Sequence, residues 1–196
     1  MDFDEMIKSR RSVRRFRAER IPQQILMDLV DAGRSAPSGA NRQPLEYIIV
    51  DDADLCEKLF GQLKWAGYVR PRRNPPAGKR PVAYIVVLSR AGVSSEKLAT
   101  ADAGAAIENI LLSAWSKGIG SCWIDSANRE NIKNFLNIGN DRAINSVIAL
   151  GYPDEHPVME DTVGDSIEYY LDDSDVLHVP KRHLEKIVHI NGIGKR

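Results

Sequence analysis

Cysteine is scarce: Cys56 and Cys122 are the only two in 196 residues, far apart and without C-x-x-C spacing. That excludes a disulfide framework and a thiolate zinc site. Long hydrophobic runs are lacking too, since no apolar stretch approaches the roughly 18–20 residues that span a bilayer. Net charge is missing: 27 basic side chains face 27 acidic ones, so the whole molecule projects no field that would gather nucleic acid. The four histidines, His156, His178, His183 and His189, show no metal-ligand spacing and are read as solvated. Gly192-Ile193-Gly194 has no helix after it, which excludes a dinucleotide fingerprint. The acidic start, Met1-Asp2-Phe3-Asp4-Glu5, lacks the apolar core of a secretory signal, so a cytoplasmic location is expected.

What is present is an ordinary globular composition, 43% apolar and 28% charged. The length suits a single domain over residues 1–196, large enough to bury a core without covalent staples. Charge is segregated along it. Seven basic side chains fall between Lys8 and Arg20 and five more between Arg70 and Arg80, while nine acids lie between Asp154 and Asp175. Such separation suits one local anionic ligand better than a long polyanion.

Periodicity predicts a short helix through Phe3, Met6 and Ile7 ending near Ser9, and an ordered loop from Arg10 to Arg20. Pro22 opens a second helix whose face is Ile25, Leu26, Leu29 and Val30. Tyr47–Val50 reads as a buried strand, Leu55, Leu59, Phe60 and Leu63 as a helix, and Val82–Leu88 as the clearest strand. The longest helix is expected over Glu96–Lys117 with Gly118 as its C-cap; its small residues Ala99, Ala103, Gly104 and Ala106 admit close approach of another helix. Ser121–Ile124 and Val147–Leu150 read as strands, with a helix through Ile132, Phe135 and Leu136 between them. Ile167–Leu171 is expected at a sheet edge, and Leu184–Ile190 as a last docked segment. The class is α+β, with one layered core.

Two segments carry chemistry. Arg10-Arg11-Ser12-Val13-Arg14-Arg15-Phe16 gathers guanidinium forks that match phosphate oxygens, with a serine hydroxyl beside them. Ser35-Ala36-Pro37-Ser38-Gly39-Ala40-Asn41-Arg42-Gln43-Pro44 combines small residues, which let backbone approach a flat ligand, with the hydrogen-bonding side chains of Ser38, Asn41 and Gln43. Further along come Gly118-Ile119-Gly120-Ser121-Cys122-Trp123-Ile124, Ala149-Leu150-Gly151-Tyr152-Pro153 and Pro180-Lys181-Arg182-x-Leu184-Glu185. In that order and spacing, the five segments resemble the nitroreductase family of flavoproteins across nearly the whole chain.

The resemblance implies an α/β sandwich around a mainly antiparallel central sheet flanked by helices, built as an intertwined homodimer with FMN at the interface. By motif position, Arg10, Arg11 and Ser12 would hold the phosphate and ribityl groups and Arg14 would lie near the pyrimidine edge. Pro37, Ser38, Gly39, Ala40, Asn41 and Gln43 belong to the loop that would come from the partner subunit. Trp123, Ile124 and Asp125 would pass the flavin ring with their backbone, and Lys181 with Arg182, in a C-terminal segment 179–196, would close around the phosphate. A cation beside N1 and O2 of a flavin stabilises the reduced form. No separate catalytic acid or base is required when hydride enters and leaves at N5.

The resemblance further implies NAD(P)H as electron donor and a ping-pong reduction of nitroaromatics, quinones or similar electron-poor molecules. A loop over residues 65–81 is expected on the substrate side. In it Trp65 and Tyr68 would stack on a planar substrate, while Arg70 and Arg72 would attract nicotinamide phosphates. Cys122 is read as a buried, inert thiol. Leu45 departs from the family, which often has an aromatic after Q-P, and the stretch 161–179 is longer than the minimal pattern. Two alternatives stay open: reductive dehalogenation or flavin modification on the same fold, and a module binding polyanions through its basic segments.

Overall fold

In the computed structural model, residues 2–69 and 74–194 are described. By internal packing they cluster into two compact units, residues 2–65 with 74–155, and 66–69 with 156–194. Each is treated by itself.

The first unit runs α1 (Phe3–Ser9), α2 (Gln23–Arg34), β1 (Leu45–Val50), α3 (Ala53–Phe60), β2 (Ala83–Arg90), α4 (Glu96–Ser116), β3 (Gly120–Ile124), α5 (Arg129–Phe135) and β4 (Arg142–Gly151). Its strands form one antiparallel sheet in the order β1-β2-β4-β3. Strand β2 is central and buried on both faces, which explains its unbroken apolar run. Tyr84, Val86 and Leu88 turn to one side, against Cys56 and Leu59 of α3 and Ile132 of α5. Ala83, Ile85 and Val87 turn to the other, against Leu26 and Leu29 of α2 and Ile107, Ile110 and Ala114 of α4. Each large aliphatic side chain buried in this way contributes about 1.5–3 kcal/mol.

The small residues of α4 do admit a second helix. Gly33 of α2 lies so close that a Cβ there would sit 2.8 Å from Ile110 Cδ1 and 3.4 Å from the Ala106 carbonyl. Gly104 turns elsewhere, towards Trp123. Ser95 caps the start of α4 by accepting the Leu98 N–H, and Gly118 with φ of 72° ends it. Strand β4 is longer than its apolar core suggests. Val87 pairs with Ser146 but Leu88 with Ile144, so Asn145 is an extra residue that bulges the strand. That bulge lets Ile144 and Val147, three apart, face the same core.

The second unit holds β5 (Val158–Asp161), β6 (Tyr170–Leu171), β7 (Leu177–Lys181) and α6 (Leu184–Ile187). Here β7 pairs parallel with β5 and antiparallel with β6. Thus the 161–179 stretch contributes to a small sheet, and of the edge strand expected over Ile167–Leu171 only Tyr170–Leu171 forms. Helix α6 has no buried residue, so the docking expected of Leu184–Ile190 is not made among the described residues. His178 also departs from expectation: it is half-buried and held between two carboxylates. Its Nδ1 lies 2.8 Å from Glu160 and its Nε2 3.3 Å from Asp172, with the ring stacked on Tyr170 at 4.9 Å. The hydrogen bond to Glu160 is the main cause that raises its pKa, opposed by burial and aided by Asp172.

Candidate functional site

The arginine loop begins where Arg10, with φ −57° and ψ 132°, takes the chain out of α1. It then runs along the free edge of β3. Val13 N–H donates to the Ser121 carbonyl at 2.9 Å, Ser12 bridges Ser121, and Arg17 N–H donates to the Tyr152 carbonyl at 2.9 Å. Two fully buried side chains, Val13 and Phe16, fasten it. They fit because the paired residues beneath them are glycines, Gly120 and Gly151. A Cβ on Gly120 would stand 2.9 Å from Val13 Cβ, and one on Gly151 2.7 Å from Phe16 Cδ1.

That packing leaves Arg10, Arg11, Ser12 and Arg14 half-buried on one short segment. Arg10 Nε pairs with Glu108 of α4 at 3.2 Å, and the Arg14 N–H donates to Glu155 at 2.6 Å. The Arg11 guanidinium folds back to donate to the Lys8 and Arg10 carbonyls. Burial, and then the neighbouring charge of Arg10, lower the Arg11 pKa. Cations crowded in this way are stabilised by an anion, and charge-assisted bonds from guanidinium to phosphate are the strong kind. Ser121 Oγ is buried beside Ser12 with no partner among the described residues. The chemistry of this set fits the phosphate end of FMN.

The second loop leaves α2 at Ser35 and makes a single 3-10 turn, Gly39–Asn41. Ala40, Asn41 and Gln43 have φ of 51°, 54° and 48°, a backbone shape that costs energy unless contacts hold it. The contacts are visible. Gly39 N–H donates to Asp102 of α4 at 2.9 Å, Gln43 N–H to Ser38 Oγ at 3.1 Å, and Gln43 Nε2 to Asn41 Oδ1 at 3.2 Å. Pro37, Ala40, Asn41 and Gln43 are exposed, Ser38 and Gly39 half-buried.

Trp123 is 44% exposed, its indole N–H donating to Ser146 Oγ at 2.8 Å. Ile124 points into the core, so only its backbone is offered to a ligand. Asp125 pairs with Arg129 at 2.5 Å. Trp123 and Asp125 line a cavity of about 670 Å³ together with Thr100, Arg129 and Asn145; the arginine loop is not part of its wall. Cys122 is buried and burial raises its pKa, as befits an inert thiol.

On the substrate side the expectation divides. Trp65 is only 2% exposed and packs on Phe60, ring centroids 5.6 Å apart, so its ring is core and has no face to offer a substrate. Tyr68 is 53% exposed and meets Tyr169 edge-on at 5.1 Å. Arg70 and Arg72 lie outside the described residues. Lys181 ends β7 and Arg182 follows it, both exposed, in the second unit. Asp102, Glu108 and Glu155 were not among the expected site residues. Their one signal in sequence is Asp102, an acid on the same stripe as Ala99, Ala103 and Ala106.

A family model described as the nitroreductase family matches residues 7–152. The chain belongs to the nitroreductase family. The nitroreductase match takes in both loops and β3, and ends before the Pro180–Glu185 segment. An Archaeoglobus fulgidus protein, provisionally named NADH dehydrogenase/NAD(P)H nitroreductase, is 32% identical over 155 residues, 76% of this chain and 84% of its own. The iodotyrosine deiodinase of Thermotoga neapolitana is 27% identical over 167 residues, 77% of this chain and 88% of its own. Among solved structures, an FMN-dependent nitroreductase of Clostridium difficile matches with a TM-score of 0.65 at 25% identity, covering 95% of this chain and 98% of that one.

Proposed function

We propose that this member of the nitroreductase family is an FMN-dependent oxidoreductase that takes hydride from NAD(P)H and delivers it to electron-poor aromatics such as nitro compounds and quinones. The observation that carries the reading is the arginine loop, held against β3 by Val13 and against β4 by Phe16 so that Arg10, Arg11, Ser12 and Arg14 are presented together. When bound, FMN supplies the hydride acceptor and donor, its N5. The chain's own task is to hold and tune it. Arg10, Arg11 and Ser12 would grip phosphate and ribityl oxygens, and Arg14 would place positive charge where reduction adds electrons. Ser38, Gly39 and Asn41 of the partner subunit would complete the site in a homodimer. Donor and acceptor would enter by turns at one open face, giving ping-pong kinetics.

A second reading within the same chemistry is reductive dehalogenation of an aromatic, favoured by the deiodinase relative. The first test is direct: purified protein is yellow and releases FMN on denaturation. Colourless protein that takes up no added FMN would defeat the proposal, and salt-sensitive RNA binding by it would favour a polyanion-binding module. Steady-state kinetics on quinones, nitroaromatics and halogenated phenols, with NADH and NADPH, then separates the two enzymatic readings. Dilution tests the dimer, because a monomer that binds FMN unchanged could not need a partner's loop.

A further inference from the structure

The turn Gly39–Asn41 lacks a cap of its own. Ser38 stands at its N-cap position but makes no capping bond, its Oγ instead accepting the Gln43 N–H. The first free donor of the turn, Gly39 N–H, is satisfied from far along the chain by Asp102 Oδ1 at 2.9 Å. Asp102 is only 7% exposed, and its Oδ2 is buried with no partner among the described residues. It lines a cavity of about 140 Å³ beneath the loop, with Pro37, Ser38, Gln43 and Tyr47. Burying a carboxylate is expensive. A neutral residue would serve packing on this alanine-rich helix at lower cost.

Gly39 is also suited to the spot, since a Cβ would come 3.3 Å from Leu98 Cδ2 and 3.9 Å from Asp102 Oδ1. The same helix meets the other loop. Glu108, six residues on, pairs with Arg10, and Trp115 donates to Ser9 Oγ at 2.9 Å, just before the arginine segment. Helix α4 is therefore a common frame to which both loops are tied.

We infer that Asp102 is a positioning residue for the cofactor loop, fixing residues 38–43 in their strained shape so that they fit FMN. This rests on the proposed FMN chemistry, with Asp102 acting through Gly39 and not by touching the flavin. Loss of a hydrogen bond to a charged acceptor corresponds to about tenfold or more in an equilibrium constant. Asp102→Ala thus raises the FMN dissociation constant about tenfold or more. Asp102→Asn keeps an acceptor but loses the charge, and falls between Ala and wild type.

Hydrogen exchange at the Gly39 amide, measured on the apo protein, accelerates in the same order, most in Ala and less in Asn. A role in helix stability alone would lower Tm and leave exchange at Gly39 relative to the neighbouring core, and the FMN constant, unchanged; that result overturns the inference. Faster exchange with an unchanged FMN constant overturns it as well. Should Asp102→Ala not fold, Asp102→Asn against wild type decides on the same two readouts. Wild-type protein that takes up no FMN overturns the functional proposal itself, an outcome visible before any variant is made.

Discussion

Adding one methyl group at Gly151 tests how the arginine loop is held. The new Cβ would lie 2.7 Å from Phe16 Cδ1, 2.8 Å from its Cβ and 2.9 Å from its Cγ. Real Cβ atoms do not sit so close, and Phe16 has nowhere to swing. It is fully buried, its N–H donates to the Lys79 carbonyl, and the next residue donates to Tyr152. Relief must come from the loop backbone lifting off β3 and β4. Overpacking of this kind costs about 1–3 kcal/mol. For a chain of this size about 2–4 °C is lost per kcal/mol, so Gly151→Ala should lower Tm by about 2–12 °C. Because the lifted segment carries Arg10–Arg14, FMN affinity should fall with it. Calorimetry of the apo protein and a fluorescence titration with FMN read the two effects. Gly61→Ala is the control: at the end of α3, with φ −63°, its Cβ would meet nothing nearer than 3.5 Å, so Tm should hold or rise. A Gly151→Ala protein with wild-type Tm and wild-type FMN affinity would refute the claim that this glycine seats the loop.

Three other outcomes are expected. Trp65→Ala should cost about 3–5 kcal/mol of stability as a core truncation, whereas Tyr68→Ala should leave Tm near wild type and change KM for an aromatic substrate; denaturant curves beside kinetics check both. Arg10→Ala should weaken FMN binding about tenfold or more, with the FMN titration as the assay. The second unit should depend on pH through His178. Its pKa is raised above 6.5, so its contribution is complete below 6.5 and lost as pH rises through the folded value. His178 chiefly lowers Glu160 from 4.5, and the Val176 N–H chiefly lowers Asp172 from 3.8, so their contributions hold above those values and vanish as pH falls through the folded ones. Protection of β7 amides, corrected for intrinsic exchange, should therefore peak between about pH 4.5 and 6.5, and His178→Gln should flatten its alkaline side.

The first unit was largely legible in sequence, for physical reasons. A strand buried on both faces must be apolar throughout, and β2 announces itself. A long alanine-rich helix ended by glycine at positive φ is equally plain in α4. Strand β7 is not, because Leu-His-Val-Pro-Lys buries only Leu177 and a His–carboxylate cluster replaces apolar pairing. The β4 bulge was hidden because one extra residue breaks alternation and makes Arg142–Ser146 resemble a loop. Trp65 misled through its setting: a loop rich in proline, glycine and arginine suggests exposure, yet the indole folds back onto Phe60. The site's motifs were readable because glycines and arginines cluster in sequence. Its supports, Asp102 and Glu108, lie on a distant helix and join the loops only in three dimensions.

The bulge on β4 has a consequence for survival at high concentration. Strand β3 stops opposite Val147, so β4 extends past it from Arg142 to Ser146 with no strand on that side among the described residues. A row of free carbonyls there is a template on which a foreign strand can grow. Arg129 denies it, donating to the Ile144 carbonyl at 3.0 Å and to the Asn145 carbonyl at 3.0 Å while the extra residue bends the backbone. One guanidinium thus occupies two of the acceptors that an added strand would need.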